Sequence, residues 1–448
     1  MTARPQLVLL VWLGATLLAL TGLALLLDVP GAAAGERVQR LNILMGLLVA
    51  SGGVYFAAVH VILRHAWPRA ATLVVLTVAV LLRMLLLTQP PVLSSDIYRY
   101  VWDGRVQAAG INPYRYVPAD PALATLRDAV VYSHINRATY ARTIYPPFAQ
   151  LVFATVGRVW GTVTGMRLAM LGFEALAIVC LLRLLPLAGL PRERIAIYAW
   201  NPLALWSFVS DGHVDAIAIG LLGFALLLRA RHRDGWAGAA LAGAVLVKFI
   251  PLVVAPAFLR GGRFWRPVLV GLAIVVGAYA IYLDAGRHVI GFLPSYGQEE
   301  GITTGHGIWL LAGLARLGRL SPLAPAIYAA GAALLFVGLV IAVLCRRPPE
   351  NDVRALCRDT AMLGTIATVA ISPHYHWYFA WLALPAVIAP SRAVLWLATA
   401  PLLLISEPVV GDRFLWPSLI YVPAAVLLLA DVRWQRAIHL RQIASIGE

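Results

Sequence analysis

Residues 70–105 read AATLVVLTVAVLLRMLLLTQPPVLSSDIYRYVWDGR, an apolar run followed at once by a polar one. The apolar half, 70–87, has the length and composition of a helix that crosses a bilayer. The polar half, 94–105, has no proline and no glycine before Gly104, so we expect a helix that leaves the membrane with Ser94 or Ser95 as its N-cap. The apolar run and the polar run that follows it together predict a transmembrane helix joined to a helix at the membrane surface.

The composition of the chain places this pair in a membrane protein with many spans. Of its 448 residues, 61% are hydrophobic and 13% are charged, and the mean hydropathy is +0.80. A soluble domain has about a quarter of its residues charged, so a set of soluble domains is excluded. The many long apolar runs disfavour a transmembrane barrel. We expect an all-α fold, a polytopic transmembrane helix bundle of about 11 to 14 membrane segments.

The net charge of +15 would indicate nucleic acid as a partner in a soluble protein, but here the arginines cluster in short loops between apolar runs. Such clusters mark the cytoplasmic side of a membrane, so no nucleic acid is expected. The basic loop 64–69 therefore predicts that the long loop 88–145 lies on the outer face, most simply of a bacterial inner membrane. Further cytoplasmic clusters are expected at 229–233, 260–266, 346–358 and 433–441.

The whole chain is expected to form one integral-membrane domain. Its predicted parts are an extra N-terminal helix pair (1–69), a core with the outer loop 88–145 (70–283) and C-terminal helices with a second outer loop at 284–306 (284–448).

Asp96 and Asp103 are the first candidates for chemistry. They stand seven positions apart, which is two turns of a helix, so both carboxylates point to one face with Arg99 beside them. That face suits a polar ligand at the membrane surface. The alternative is an interfacial helix in which the aspartates and arginines only pair with each other.

Three motifs of this loop together resemble the first extracytoplasmic loop of glycosyltransferase family 87 and related mannosyltransferases of the GT-C fold: SDIYRYVWDG (95–104), GINPY (110–114) and IYPP (144–147). Later segments extend the resemblance: WNP (200–202) with SDGHVD (210–215), VKFIP (247–251) and ISPHYHWY (371–378). The resemblance implies a GT-C-like helix bundle in which Asp96 is the catalytic base, with Asp103 as a second catalytic candidate. It leaves open whether His374 or His376 takes the role of the family's histidine, because Tyr375 separates them.

Lys248 is the only lysine in the chain. The stretch between the basic clusters 229–233 and 260–266 is too short for two spans and predicts a buried hairpin with Lys248 near its tip. An ionisable group at membrane depth is a functional candidate, and we expect Lys248, with Arg99 and Arg105, to bind the phosphate of a lipid-linked donor. The alternative is a lysine that snorkels from a helix end.

Other polar residues of these motifs are expected to contact substrate, and no metal site is expected. Cys180, Cys345 and Cys357 lack metal-ligand spacing and predict no disulfide. Asp96 and Asp103 offer too few oxygen ligands to favour a divalent cation, so the predicted cofactor set is empty. The expected substrate contacts are Tyr98, Asn112, Tyr145, Asp211, His213, Asp215, His374 and His376.

Together these features predict an inverting glycosyltransferase. It would transfer a hexosyl group, mannosyl by the family likeness, from a polyprenyl-phosphate sugar to a glycan or glycolipid acceptor on the outer face, with membrane lipid around it. The alternative function is a non-enzymatic carrier or flippase of a lipid-linked glycan or another amphipathic lipid. A carrier of this kind should have broken helices in matching halves of the chain. The polar residues cluster instead at outer helix ends and in one long loop, which favours the enzyme.

Overall fold

The computed structural model describes residues 3–260, 264–346, 352–405 and 412–444. The basic positions Arg263 and Arg347 of the predicted cytoplasmic clusters lie outside these ranges.

The described residues form helices joined by turns and loops and contain no strand, which confirms the predicted all-α class. The α-helices in chain order are α1 (Ala3–Leu25), α2 (Ala34–Arg64), α3 (Ala70–Leu87), α4 (Asp96–Ala108), α5 (Pro147–Trp160), α6 (Val163–Leu187), α7 (Ala196–Ala199), α8 (Pro202–Ala204), α9 (Asp215–Ala230), α10 (Asp234–Val245), α11 (Ala255–Phe258), α12 (Trp265–Ala280), α13 (Leu293–Glu299), α14 (Trp309–Ala315), α15 (Ala324–Cys345), α16 (Val353–Ile371), α17 (Ala383–Ala386), α18 (Arg392–Leu397) and α19 (Leu415–Ala444).

Fewer helices are long enough to cross a membrane than the 11 to 14 segments predicted. Within the described ranges there are 5 long apolar helices, or up to 7 if each of two sharply bent pairs is one span. The difference arises where apolar runs are divided into short pieces. For example, the run 376–390 contains a 3₁₀ turn, His376–Leu382, followed by the four-residue helix α17.

One bent pair brings polar residues into the interior of the bundle. Asn201 accepts a hydrogen bond from the Ala204 amide (2.9 Å) and so starts α8. A π-helical turn, Leu205–Ser210, follows, and α9 then departs at 118° to the preceding segment. The chain reverses at Gly212, whose φ of +64° lies in the left-handed region that glycine tolerates. The turn 211–214 and the first residue of α9 are therefore held deep in the protein.

Helix α4 leaves α3 as the sequence predicted and packs along α5. The two helices touch at a pair of glycines: a Cβ on Gly104 would overlap the Phe153 carbonyl, and one on Gly157 would overlap the Gly104 carbonyl. Only glycine permits this backbone approach. The contact fixes the height and angle at which α4 carries its side chains.

Arginines from two predicted cytoplasmic clusters pair with one buried carboxylate, and an arginine from a third cluster joins them. Asp359 in α16 is fully buried and pairs with Arg260, Arg346 (3.1 Å) and Arg358 (3.6 Å). Arg229 joins them by donating to the Arg260 carbonyl (2.8 Å). Clusters far apart in sequence thus meet at one place, as loops on the same side of a membrane should.

Candidate functional site

A cavity of about 410 Å³ opens where the first long loop (88–145) meets the turn 211–214, at the bend before α9. The second long loop (284–306) closes one side. The wall of the cavity also includes the turn around Lys248 and the segment after α16. The lining residues are Leu93, Ser94, Ser95, Asp96, Arg99, Tyr100, Asn136, Arg137, Ala141, Arg142, Ile144, Tyr145, Pro146, His213, Val214, Asp215, Val247, Lys248, Phe249, Ile250, Phe292, Leu293, Tyr296, Tyr375, Trp377 and Tyr378.

Asp96 is the first residue of α4 and faces this cavity. Ser95 takes the N-cap position without a side-chain capping bond, while Ser94 Oγ accepts from the Asp96 amide (3.2 Å). Asn136 Nδ2 donates to Asp96 Oδ1 (3.2 Å). Burial raises the pKa of the Asp96 carboxyl, and the Asn136 hydrogen bond is the first of several weaker influences that lower it. A carboxylate of raised pKa is suited to accept a proton.

Lys248 lies in the turn between α10 and the 3₁₀ helix Ile250–Val254 and also faces the cavity. Its Nζ donates to both carboxylate oxygens of Asp215 (2.9 and 3.1 Å) and stands 3.6 Å from the centroid of the Tyr378 ring. The ammonium is thus held between an anion and an aromatic face. An ammonium has three N–H donors, so one remains for a ligand.

The interior turn supplies two further predicted residues with different surroundings. His213 lines the cavity and stacks on Trp377, with ring centroids 4.0 Å apart. Its Nδ1 lies 3.4 Å from the Tyr100 hydroxyl, and its buried Nε2 has no hydrogen-bond partner within the described ranges. Asp211 lies behind the cavity, where its Oδ1 accepts from the amides of Val92 (3.0 Å) and Leu93 (2.9 Å). Asp211 therefore fixes the backbone that leads into Ser94 and Asp96.

Asp103 does not reach the cavity. It is 2% exposed, and its two oxygens accept from Arg99 Nε (2.8 Å) and Gln150 Nε2 (3.0 Å). Arg99 also donates to the Ala141 carbonyl (3.1 Å) while part of its side chain lines the cavity. At the Asp103 end of α4 the structure therefore shows the alternative that the sequence left open, an aspartate and an arginine that pair with each other.

Five other predicted residues lie outside the cavity lining. Arg105 bonds the Gly161 carbonyl (2.9 Å) and Asp128. Tyr98 stacks on His134. Asn112 bonds Asp284 and so ties the two long loops together. His374 and His376 flank Tyr375, which does line the cavity, and His376 is buried against Trp377. Tyr145, in contrast, lines the cavity as expected of a substrate contact.

Several cavity residues were not predicted from the sequence. Asn136, Arg137 and Arg142 belong to a stretch of the first long loop without a recognisable motif. Arg137 forms an ion pair with Glu299 of the second long loop. The aromatic wall comes from Tyr296, whose hydroxyl lies 2.8 Å from that of Tyr378, and from Tyr375, which donates to Glu300 (3.1 Å). Among these residues, only Tyr375 and Tyr378 had a signal in the sequence, because they belong to the run YHWY (375–378) that follows Ser372-Pro373.

No group of three or more histidine, cysteine, aspartate or glutamate side chains suited to a metal ion occurs within the described ranges. The carboxylates that line the cavity are Asp96 and Asp215, and Lys248 already neutralises Asp215. The cavity therefore combines a carboxylate that can accept a proton with fixed cations: Lys248, Arg99, Arg137 and Arg142.

Comparison with known proteins identifies a family. Residues 7–260 match the model of a family described as alpha-(1->6)-mannopyranosyltransferase, N-terminal domain. The match covers more than half of the chain and includes Asp96, Asp215 and Lys248. No curated protein and no solved structure matches the chain. The predicted enzyme class, a hexosyltransferase, is confirmed. The chain belongs to the alpha-(1->6)-mannopyranosyltransferase family, a family of hexosyltransferases.

Proposed function

We propose that the protein transfers mannose, with inversion, from polyprenyl-phosphate mannose to a hydroxyl of a glycan or glycolipid acceptor on the outer face of the bacterial inner membrane. The observation that carries this proposal is the placement of Asp96 and the Lys248–Asp215 pair on the wall of one cavity. The first supplies a base for the acceptor, and the second supplies a cation for the leaving phosphate.

Asp96 acts as general base. Its carboxylate takes the proton of the acceptor hydroxyl as that oxygen attacks C1 of the mannose. The bond between C1 and the phosphate oxygen breaks, and its electron pair leaves with polyprenyl phosphate. Asp96 then returns the proton to solvent. Asn136, through its hydrogen bond, holds the carboxylate in place for this step.

Lys248 stabilises the leaving phosphate. The phosphate gains negative charge as the C1–O bond breaks, so a fixed cation beside it binds the transition state more strongly than the donor. Asp215 and Tyr378 hold the ammonium in position before substrate arrives, which reduces the reorganisation needed during the reaction. Arg99, Arg137 and Arg142 add positive charge along the same wall.

The neighbouring apolar residues suit the first isoprene units of the donor lipid. Phe249 and Ile250 follow Lys248 in sequence and line the cavity next to it, and Phe249 is 41% exposed. A lipid phosphate held at Lys248 would therefore have apolar surface beside its tail. A soluble nucleotide sugar would make no use of that surface.

The test uses purified protein with synthetic polyprenyl-phosphate mannose of either anomeric configuration and an alpha-mannoside acceptor. Single displacement inverts C1, so an alpha-linked product requires the beta-configured donor. We expect product from the beta donor alone. Transfer from the alpha donor, or from a nucleotide-linked mannose, would contradict the proposal. A protein that binds the donor but forms no glycosidic bond would favour the carrier.

A further inference from the structure

A second cavity lies beside the first, between the two long loops. It is an open groove of about 490 Å³, a size common for ligand sites. The lining residues that matter for its chemistry are Tyr140, Arg142, Phe292, Ser295, Gln298 and Glu299. Arg142 and Phe292 also line the cavity that contains Asp96, so the two spaces adjoin. Apart from Arg142, the residues that line this groove have no part in the reaction described above.

The groove is built into the contact between the loops. Gly291 has a φ of +56°, and a Cβ there would overlap the Thr143 carbonyl. Glu299, on the groove side, forms an ion pair with Arg137, which lines the main cavity. The Arg137–Glu299 pair therefore stands between the two spaces. Since both loops are anchored at these points, the groove exists before a ligand arrives.

The chemistry of the groove fits a neutral ligand rich in hydroxyl groups. Arg142 and Glu299 are its only charged lining residues and carry opposite signs. Ser295 and Gln298 offer donors and acceptors of the kind that bind hydroxyls. Tyr140 is 56% exposed and packs edge-on against Phe292, with centroids 5.7 Å apart. An exposed ring beside hydrogen-bonding groups suits a sugar, whose apolar face lies on the ring while its hydroxyls reach the polar wall.

We propose that this groove is an acceptor subsite, which holds the sugar units of an oligosaccharide beyond the unit that reacts at Asp96. The inference rests on the proposed function and deepens it, because it assigns the place in the fold where the acceptor binds beyond its reacting sugar. Tyr140 is the residue on which the second sugar rests, and Gln298 and Glu299 bind its hydroxyls.

The first test compares acceptors of one, two and three alpha-(1→6)-linked mannose units. In the wild type we expect the apparent KM to fall by about tenfold from the single sugar to the longer acceptors, the size of effect that one aromatic contact supplies. Tyr140→Ala should remove this gain and leave the single-sugar KM unchanged, and Gln298→Ala should reduce it. Tyr140→Phe, which keeps the ring, should retain most of it. Val130→Ala is the matched control, because Val130 lies in the same loop, is 66% exposed and is outside the groove.

Equal KM values for short and long acceptors in the wild type would overturn the proposal, as would a Tyr140→Ala variant that weakens both acceptors alike. A second measurement separates this failure from failure of the proposed function. Binding of the mannose trisaccharide is titrated by calorimetry on protein without donor. We expect saturable binding that Tyr140→Ala weakens by about tenfold and Val130→Ala preserves. If this pattern appears but no donor gives transfer, the groove is supported and the proposed reaction is wrong. Absence of trisaccharide binding to an enzyme that does transfer mannose overturns the groove.

Discussion

The spacing of Asp96 and Asp103 predicts that they share a face of α4, but not which of them lines the cavity. Their separation puts both carboxylates on one face of α4, but two helical turns also place them about 10 Å apart along the axis. Asp96 at the first turn faces the cavity, whereas Asp103 packs against α5 and is bonded to Arg99 and Gln150. A shared face is predictable from the sequence. Which end of that face meets another helix depends on tertiary packing.

The environment of Asp96 predicts a particular pH dependence. The base works only when deprotonated, and burial raises its pKa above the value of about 3.9 for a free aspartate. The acid limb of the kcat/KM profile should therefore lie above that value. Asn136→Ala removes a hydrogen bond that lowers this pKa, so the limb should move to higher pH, while activity at high pH stays closer to wild type. Val130→Ala should not shift the limb. If the acid limb of the Asn136→Ala profile stayed at the wild-type pH, the group that titrates there would not be Asp96.

Lys248 has two separable interactions, with Asp215 in the protein and with the proposed donor phosphate. Lys248→Met should lower kcat and donor affinity, together by about tenfold to a hundredfold, the worth of a hydrogen bond to a charged group. Lys248→Arg should impair less, because it keeps the charge but not the compact shape. The double variant Lys248→Met, Asp215→Asn removes the unpaired carboxylate as well. It should stay impaired in steady-state assays with varied donor. Recovery in the double variant would mean that Lys248 only neutralises Asp215.

At the scale of elements, helices with a strong local pattern were predictable. The span 70–87, the helix that begins after Ser95 and the turn at Lys248 all appear where the sequence placed them. The number of long spans was not predictable, because mean hydropathy does not reveal where a run is divided into short helices. The loop residues Asn136 and Arg137 carry no periodic pattern. They reach the cavity only because the second long loop folds over the first.

The close contact of α4 and α5 predicts a stability effect that also reaches the site. Gly104→Ala places a Cβ against the Phe153 carbonyl, and overpacking of this kind costs about 1–3 kcal/mol. We expect a lower melting temperature in detergent and reduced transfer, because α4 carries Asp96. Gly172→Ala is the matched control, since that glycine is helical with open space around it. Equal melting temperatures for both variants would contradict the tight glycine contact.

In the molecule as a whole, the cavity and the arginine cluster near Asp359 lie in different regions. The cavity lies where the two long loops meet, whereas arginines of two predicted cytoplasmic clusters pair with Asp359 and Arg229 of a third bonds the Arg260 carbonyl. Positive residues favour the cytoplasmic side, so the cavity is expected on the outer side. The donor lipid would then approach within the outer leaflet.

This orientation is testable without substrate. Cysteine at Val130 in the first long loop should react with an impermeant thiol reagent added to intact cells, and cysteine at His232 should react only after lysis. Both positions are exposed. The background carries Cys345→Ser, because Cys345 is exposed while Cys180 and Cys357 are buried. Labelling of His232→Cys alone in intact cells would place the cavity in the cytoplasm.

The central claim is that Asp96 accepts the proton of the acceptor. The most direct measurement is single-turnover transfer by Asp96→Asn, with donor binding measured on the same protein. Asparagine keeps the size of the side chain and one acceptor oxygen but cannot act as the base. Asp120→Asn, in the same loop and outside the cavity, is the control. We predict that Asp96→Asn loses transfer by about a hundredfold to ten-thousandfold and binds donor normally. A variant that keeps more than about a tenth of the wild-type rate, below the usual effect of losing a base, would contradict the account.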